Sequence, residues 1–305
     1  MKTPLEVIRL YPAHDYTLAG AFESRMSVDP QRDFMVHGGR TWSWGEFHAT
    51  MLRTARMLIA RGVNKGDRVA IMAKNSDVHV LLLFALARIG AIMVPVNTEF
   101  GVAEAGYVLK HAAVSAVVCS SETLAVAREA AQGIAPAPWF ALIDGVRDGV
   151  ADFFALIAQV PQIDLSRDIS AEDTCLIVYT SGTTGFPKGA MHSQRNFVTC
   201  GETFVARIHV QPEERLLTVL PLFHINALFY SLAGTLAAGA CIIVVPRFSA
   251  STFWQTAVET RATAVNVIEA IGTILIARPR SEFRPGHRIT KLYGARANMV
   301  DAFRN

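Results

Sequence analysis

The feature that most limits the fold is a set of short runs that are apolar at nearly every position: V-A-I-M at 69–72, I-M-V-P at 92–95, A-V-V-C at 116–119, L-L-T-V-L at 216–220 and C-I-I-V-V at 241–245. A strand with one face in water alternates apolar and polar residues, because successive side chains point to opposite faces. Runs without alternation belong to strands covered on both faces, as in parallel sheets sandwiched between helices. The intervening segments suit those helices. Ser76 starts one that runs to Arg88, Gly90 and Ala91 end it, and a second lies near 103–110. Helices over 227–236 and 251–259 separate the strands at 216–220, 241–245 and 264–268. Earlier, Ser43-Trp44-Gly45-Glu46 forms a capping box, and Phe47, Met51, Leu52, Ala55, Leu58 and Ile59 follow at helical spacing up to Gly62. The expectation is an α/β protein with mostly parallel sheets covered by helices.

The same grammar occurs twice. G-A-I-M-V-P at 90–95 and G-A-C-I-I-V-V-P at 239–246 each stand between a helix and a proline, with a further helix and strand behind them. This predicts two related βαβ-rich subdomains, 1–170 and 171–305, the second incomplete at its C-terminal end, meeting at a crevice beyond the strand ends where a ligand can sit. Coincidence is the alternative, since βαβ units resemble one another widely. Prolines and polar residues at 132–138 and 160–173 mark connecting regions.

Composition narrows the partners. The 29 basic and 26 acidic residues are spread along the chain, so no block of like charge points to nucleic acid. Cys119, Cys175, Cys200 and Cys241 have neither C-x-x-C spacing nor nearby histidines; they read as reduced core residues, and no protein metal site is expected. Pro4, Glu6 and Arg9 interrupt the stretch that a signal peptide would need, which gives a cytoplasmic expectation. Residues 227–246 carry no charge and would pass a crude membrane-span filter. Gly239-Ala240 divides them, so a buried helix and a buried strand are expected instead of membrane insertion.

The chemistry concentrates at 179–190, Y-T-S-G-T-T-G-F-P-K-G-A, directly behind the apolar run at 175–178. Gly182, Gly185 and Gly189 allow backbone N–H groups to turn towards an anion. Thr180, Ser181, Thr183 and Thr184 add hydroxyl donors, and Lys188 adds a positive charge. The set suits a phosphate chain. It is not a Walker A loop, because a Phe-Pro pair separates Gly185 from Lys188 and Gly189 stands where a magnesium-binding hydroxyl is needed. A Gly/Ser/Thr-rich surface turn is the bland alternative.

The segment resembles the phosphate-binding signature of the adenylate-forming, or AMP-binding, enzymes, which include acyl-CoA synthetases, aryl-CoA ligases, luciferases and peptide-synthetase adenylation domains. Further segments match in the same order. P-L-F-H-I-N-A-L at 221–228 is similar to the family's P-L-[FY]-H-x-x-G, with Ala227 at the usual glycine. L-Y-G-A-R-A-N at 292–298 is similar to its G-[GA]-x-x loop, and G-D-R-V-A at 66–70 with P-V-N at 95–97 follows its early scaffold pattern. The resemblance implies that Thr180 to Lys188 grip the β- and γ-phosphates of ATP and that His224 lies by the acyl carboxylate and α-phosphate. Lys188 and His224 would then be the catalytic residues, and Gly294, Ala295 and Arg296 would pack on the adenine. Without the motif, His224 in an apolar setting reads as a core histidine, and 292–298 as a strand-to-helix turn capped by Asn298.

By the same resemblance, His224, Asn226, Val267, Ile268, Glu269 and Ile271 line the acyl pocket, with a modest hydrophobic acyl group of the fatty-acid or carnitine type. Glu269 is either a charge for a cationic substrate or an acid at a helix N-terminus. Gln194 stands where the family often has histidine, between Ser193 and Asn196.

The implied reaction joins a carboxylate to ATP, giving an acyl-adenylate and pyrophosphate, and then transfers the acyl group to coenzyme A. A carboxylate is a poor electrophile, so the protein's task is to align two anions and stabilise phosphate charge. ATP and coenzyme A are implied as substrates, Mg2+ as the accompanying ion, and a homodimer is compatible with the reading. The sequence ends within an expected helix at 299–305, ahead of the family's Y-G-x-T-E segment with its magnesium-linked glutamate, its ribose-binding aspartate, its hinge and its lysine-bearing C-terminal domain. The expectation is an N-terminal portion of an AMP-forming acyl-CoA ligase, binding nucleotide weakly, inactive alone and prone to aggregate through a sheet edge. Two alternatives compete: an amino-acid adenylation domain, in which Glu269 would meet the substrate amine, and a non-catalytic nucleotide-binding protein.

Overall fold

A computed structural model describes residues 1–180, 187–296, 299, 302 and 303. Its strands are β1 (Asp33–His37), β2 (Arg40–Ser43), β3 (Arg68–Met72), β4 (Ile92–Pro95), β5 (Ala116–Cys119), β6 (Trp139–Leu142), β7 (Thr174–Thr180), β8 (Lys188–Ser193), β9 (Arg215–Thr218), β10 (Cys241–Val244), β11 (Ala264–Asn266) and β12 (Lys291–Tyr293). They form two six-stranded sheets, the first in the order β6-β5-β3-β4-β7-β8 and the second in the order β12-β11-β9-β10-β1-β2. Pairing is parallel except within the hairpins β1–β2 and β7–β8.

The two orders are one order used twice. Four parallel strands run fourth-third-first-second in each sheet, and an antiparallel hairpin completes the edge beside the second. The hairpins are exchanged. β1 and β2 precede the strands of the first sheet but join the second, β1 pairing with β10, Met35 opposite Ile242, whereas β7 pairs with β4 of the first, Met93 opposite Leu176. Strands therefore cross residue 170 in both directions. The recurring G-A joins at 90 and 239 lead into β4 and β10, which hold the same place in the two sheets.

One core spans both sheets. The helix Asp77–Arg88 is buried continuously from Val78 to Ala87, as a helix that is apolar all round must be. Phe84 on it meets Phe22, Phe34 and Phe47 at ring-centroid separations of 5.3, 6.3 and 6.0 Å. Three segments distant in sequence are thereby tied to one helix. Ser43 caps the helix Trp44–Ala60 through the full capping box with Glu46.

Some boundaries differ from expectation. The helix expected at 227–236 is a π-helix, Asn226–Leu232, followed by an α-helix, Ala233–Ala238. The strand expected at 264–268 ends at Asn266; the Val267 N–H bonds once more, to the Tyr293 carbonyl at 3.0 Å, before Ile268 caps the helix Glu269–Ile276. The strand expected at 216–220 runs Arg215–Thr218, and β8 takes residues 188–190 from the expected loop. The expected helix at 299–305 lies mostly outside the described residues. Among the described residues no helix is long and apolar enough to cross a membrane. All four cysteines are free, and burial pushes the thiols of Cys119, Cys175 and Cys241 up to about 12.

Candidate active site

The carboxyl ends of β9, β11 and β12 gather most of the singled-out residues. β9 runs into Pro221, Leu222, Phe223 and His224; β11 runs into Val267, Ile268 and Glu269; β12 runs into Gly294, Ala295 and Arg296. β9 and β11 are neighbours whose following connections leave in opposite directions, to β10 and to β12. Such a divergence opens the crevice in which open parallel sheets bind ligands.

Asn266, at the end of β11 and opposite Thr218 in register, donates from Nδ2 to Asn226 Oδ1 and to Ser231 Oγ at 3.3 Å. Ser231 Oγ lies 3.2 Å from the Tyr293 hydroxyl, whose pKa burial raises well above its usual value. Asn226 and Ser231 both belong to the π-helix, so this polar chain fastens it to β11 and β12. Two buried oxygens, Thr218 Oγ1 and Asn266 Oδ1, have no hydrogen-bond partner among the described residues.

Gly294 closes the β12 end against β11. Its φ is +86°, and a Cβ there would stand 2.1 Å from the Val267 carbonyl oxygen. Gly294→Ala is expected to lose about 2–3 kcal/mol, from left-handed backbone strain and an obstacle that is backbone. Urea unfolding followed by Trp and Tyr fluorescence would read it, and an unchanged midpoint would refute it.

The pocket residues divide. Val267 and Ile271 are turned into the core, at 0% and 7% exposure, whereas Ile268 is 42% exposed. Glu269 is the first residue of its helix and pairs with Arg296, Oε2 to Nη2 at 2.6 Å. This surface bridge contributes at most about 1 kcal/mol, yet it ties the candidate acyl segment to the candidate adenine segment. Ala227, at the family's glycine position, is fully buried in the π-helix.

His224 stands at the surface with its ring 4.7 Å from that of Phe223. Partial desolvation lowers its pKa from the usual 6.5, disfavouring the protonated imidazole. Its backbone N–H donates to the Pro221 carbonyl at 3.0 Å, and its carbonyl accepts from Leu228 at 3.3 Å.

The phosphate-loop residues Ser181, Gly182, Thr183, Thr184 and Gly185 lie outside the described residues. The two ends that flank them are defined: Thr180 and Lys188 face each other as the last pair of the β7–β8 ladder, both exposed. Lys188 has no acidic partner among the described residues. The hairpin belongs to the first sheet and reaches the His224 segment through aromatic packing. His192 of β8 and Phe197 of the helix Gln194–Ile208 pack on Phe229 of the π-helix, at 4.7 and 5.2 Å between ring centroids.

Gln194 is fully buried. Its Oε1 accepts the Leu18 N–H at 2.8 Å and its Nε2 donates to the Ala87 carbonyl at 3.2 Å, which joins three helices. Sequence reasoning missed Asn75, Thr218, Ser231 and Tyr293. Asn75, Thr218 and Tyr293 are polar residues at or near strand ends and Ser231 lies inside the expected helix at 227–236, weak signals that a turn or a buried helix alone would explain.

The chain resembles known proteins in sequence and fold. Crotonobetaine/carnitine–CoA ligase of Shigella dysenteriae is 30% identical over 256 residues, which are 82% of this chain and 50% of that protein. The ATP-bound MatB structure from Rhodopseudomonas palustris is 29% identical, with a TM-score of 0.74 over 86% of this chain and 52% of that one. The inhibitor-bound N-terminal domain of FACL13 from Mycobacterium tuberculosis, 24% identical, shares the fold with a TM-score of 0.81 over 96% of this chain and 73% of its own. The chain spans about half the length of the curated relatives it matches. The AMP-binding enzyme model matches residues 22–300, which take in every strand of both sheets, and the chain belongs to that family.

Proposed function

We propose that this chain carries the ATP- and carboxylate-handling part of an AMP-forming acyl-CoA ligase. The observation that carries the reading is the hydroxyl- and glycine-rich segment 181–187, whose flanking Thr180 and Lys188 are held opposite each other at the loop end of a hairpin. In this reading Lys188 meets the phosphate charge of ATP, with Thr180 and the residues Ser181 to Gly185 as further donors. His224 in its neutral form donates a ring N–H hydrogen bond to the carboxylate as it approaches the α-phosphate. Gly294, Ala295 and Arg296 form the edge on which adenine packs.

The acyl-adenylate forms when the carboxylate oxygen bonds to the α-phosphorus and pyrophosphate leaves. Coenzyme A, as its thiolate, then attacks the acyl carbon and AMP leaves. Among the described residues no group of three or more His, Cys, Asp and Glu side chains stands ready for a metal. Mg2+ enters this reading as the ion that ATP brings, and no step is assigned to it.

Glu269 is engaged by Arg296 at the surface, and the curated relative is a CoA ligase. That favours the acyl-CoA ligase over an amino-acid adenylation domain. A cytoplasmic setting with reduced thiols and a homodimer belong to the same reading.

Isothermal titration of the 305-residue chain with ATP·Mg2+ and with a non-hydrolysable acyl-adenylate analogue tests it. Lys188→Ala is expected to weaken ATP binding about tenfold or more, since a charge-assisted hydrogen bond contributes roughly 1.5–3 kcal/mol. Absence of binding by the folded wild-type chain, or equal binding by the variant, would refute the reading.

A further inference from the structure

The ladder between β9 and β10 stops at the pair Thr218 and Val244, and past it the two chains part. Backbone groups buried there need partners, because each one left alone costs about 1–3 kcal/mol. A single side chain supplies three. Asn75 is 5% exposed and lies in the bend between β3 and the helix Asp77–Arg88. Its Nδ2 donates to the carbonyls of Leu220 at 2.9 Å and Val245 at 3.1 Å, and its Oδ1 accepts the Leu222 N–H at 2.7 Å. Both amide donors are used. The amide fits one way round only, since a flip would face Oδ1 to two carbonyls and Nδ2 to an N–H.

We propose that Asn75 is the positioning residue for His224: a joint from the first sheet that fixes the candidate catalytic segment of the second. Its bonds hold Leu220 and Leu222 on either side of Pro221, and the Pro221 carbonyl accepts the His224 N–H. The hydrogen bonds and the short backbone between them lead from Asn75 to His224. Its third bond, to Val245, holds β10 against the same point, so the amide replaces the rung that the ladder lacks. The bend is itself braced, Ser76 Oγ lying 3.2 Å from His79 Nδ1. The functional sense of the joint rests on the ligase reading; its positional sense does not.

NMR of the 15N-labelled chain separates the two. The His224 imidazole is identified by its loss in His224→Gln, and Asn75→Ala and Asn75→Asp are compared with Phe153→Leu. The aspartate variant keeps the acceptor while removing both donors, and the alanine variant removes all three bonds. Phe153 is a core residue in the helix Phe153–Ala158, remote in sequence from the joint and from 220–224. The Asn75 variants are expected to speed amide exchange at Leu222 at least about tenfold and to move the His224 titration towards its ordinary value, and Phe153→Leu to do neither. An unmoved His224 and Leu222 in folded Asn75→Ala, or equal changes in Phe153→Leu, overturn the proposal. If Asn75→Ala fails to fold, Asn75→Ser, with one donor and one acceptor, carries the same comparison.

Titration of the same proteins with the acyl-adenylate analogue is expected to show about tenfold weaker binding in Asn75→Ala, equivalent to one lost positioning bond. Equal binding despite the NMR changes overturns the functional role of the joint. A wild-type chain that does not bind, with the NMR changes intact, sinks the ligase reading and leaves the positioning standing.

Discussion

Gly201→Ala is expected to lower folding stability by about 2–3 kcal/mol, seen as a lower urea midpoint with an unchanged slope. Gly201 lies on the helix Gln194–Ile208, where a Cβ would stand 2.2 Å from the carbonyl oxygen of Ala233 and 2.6 Å from its carbonyl carbon. The obstacle is backbone, so the helices must separate. Alanine gains up to about 1 kcal/mol in helix propensity over glycine, and the packing penalty exceeds that gain. Gly234→Ala is the informative comparison, because its Cβ would meet the Phe204 ring, 2.4 Å from Cδ1, and a ring can shift where a carbonyl cannot. It is expected to cost less. The contact matters to the site because Gln194–Ile208 continues from the Lys188 strand and Ala233 continues from the π-helix behind His224. Separation would draw Phe197 away from Phe229, so ATP and the acyl-adenylate analogue should both bind more weakly to Gly201→Ala. A midpoint within about 0.5 kcal/mol of wild type would refute this account of the packing.

The strands that the sequence disclosed best are those whose partners are near in the chain and whose two faces are both covered. The runs at 92–95 and 116–119 match β4 and β5, and Ser76 precedes its helix. The hairpin exchange was not legible, because Met35 opposite Ile242 and Met93 opposite Leu176 are pairings over long separations that local periodicity does not encode. One signal was available: Gly38-Gly39, both at positive φ, sit between β1 and β2 as a two-residue hairpin turn demands. The π-helix had no such mark. Its apolar spacing reads as ordinary helix, and what accompanies it is the bonding of Asn226 and Ser231 to Asn266, a partner some forty residues away. At 264–268 the β-branched run continued past the ladder, so pattern alone overextended the strand. For the candidate site, motif likeness drew attention to His224, Gly294 and Arg296, which follow the carboxyl ends of β9 and β12 on either side of β11. It missed Asn75, since a lone asparagine in a turn announces nothing about the carbonyls it will meet. The Glu269 alternatives turn on Arg296, whose approach is a matter of tertiary structure.

His79 should make the fold acid-sensitive in a way one substitution can isolate. It is 2% exposed on the helix packed within the core, and burial, with a smaller contribution from His37, drives its pKa from 6.5 down to about 3. Between those values the unfolded chain binds a proton at this position that the folded chain refuses. Stability therefore falls as pH drops from about 6.5 towards 3, by at most about 1.4 kcal/mol per pH unit and on the order of 3–5 kcal/mol in all. Above pH 6.5 the ring is neutral in both states and contributes no slope. Carboxylates such as Glu23, held below the usual range by its hydrogen bond to His48, add their own acid loss nearer their pKa values, so the difference between wild type and His79→Leu is the quantity to measure. The leucine variant leaves the Ser76 hydroxyl without its ring partner, a constant cost of about 1 kcal/mol, but it removes the titration. Urea midpoints at pH 7.5, 6, 5 and 4.5 are expected to show wild type losing about 2–3 kcal/mol more than the variant over that range. Parallel curves would mean that His79 is not held neutral by the fold.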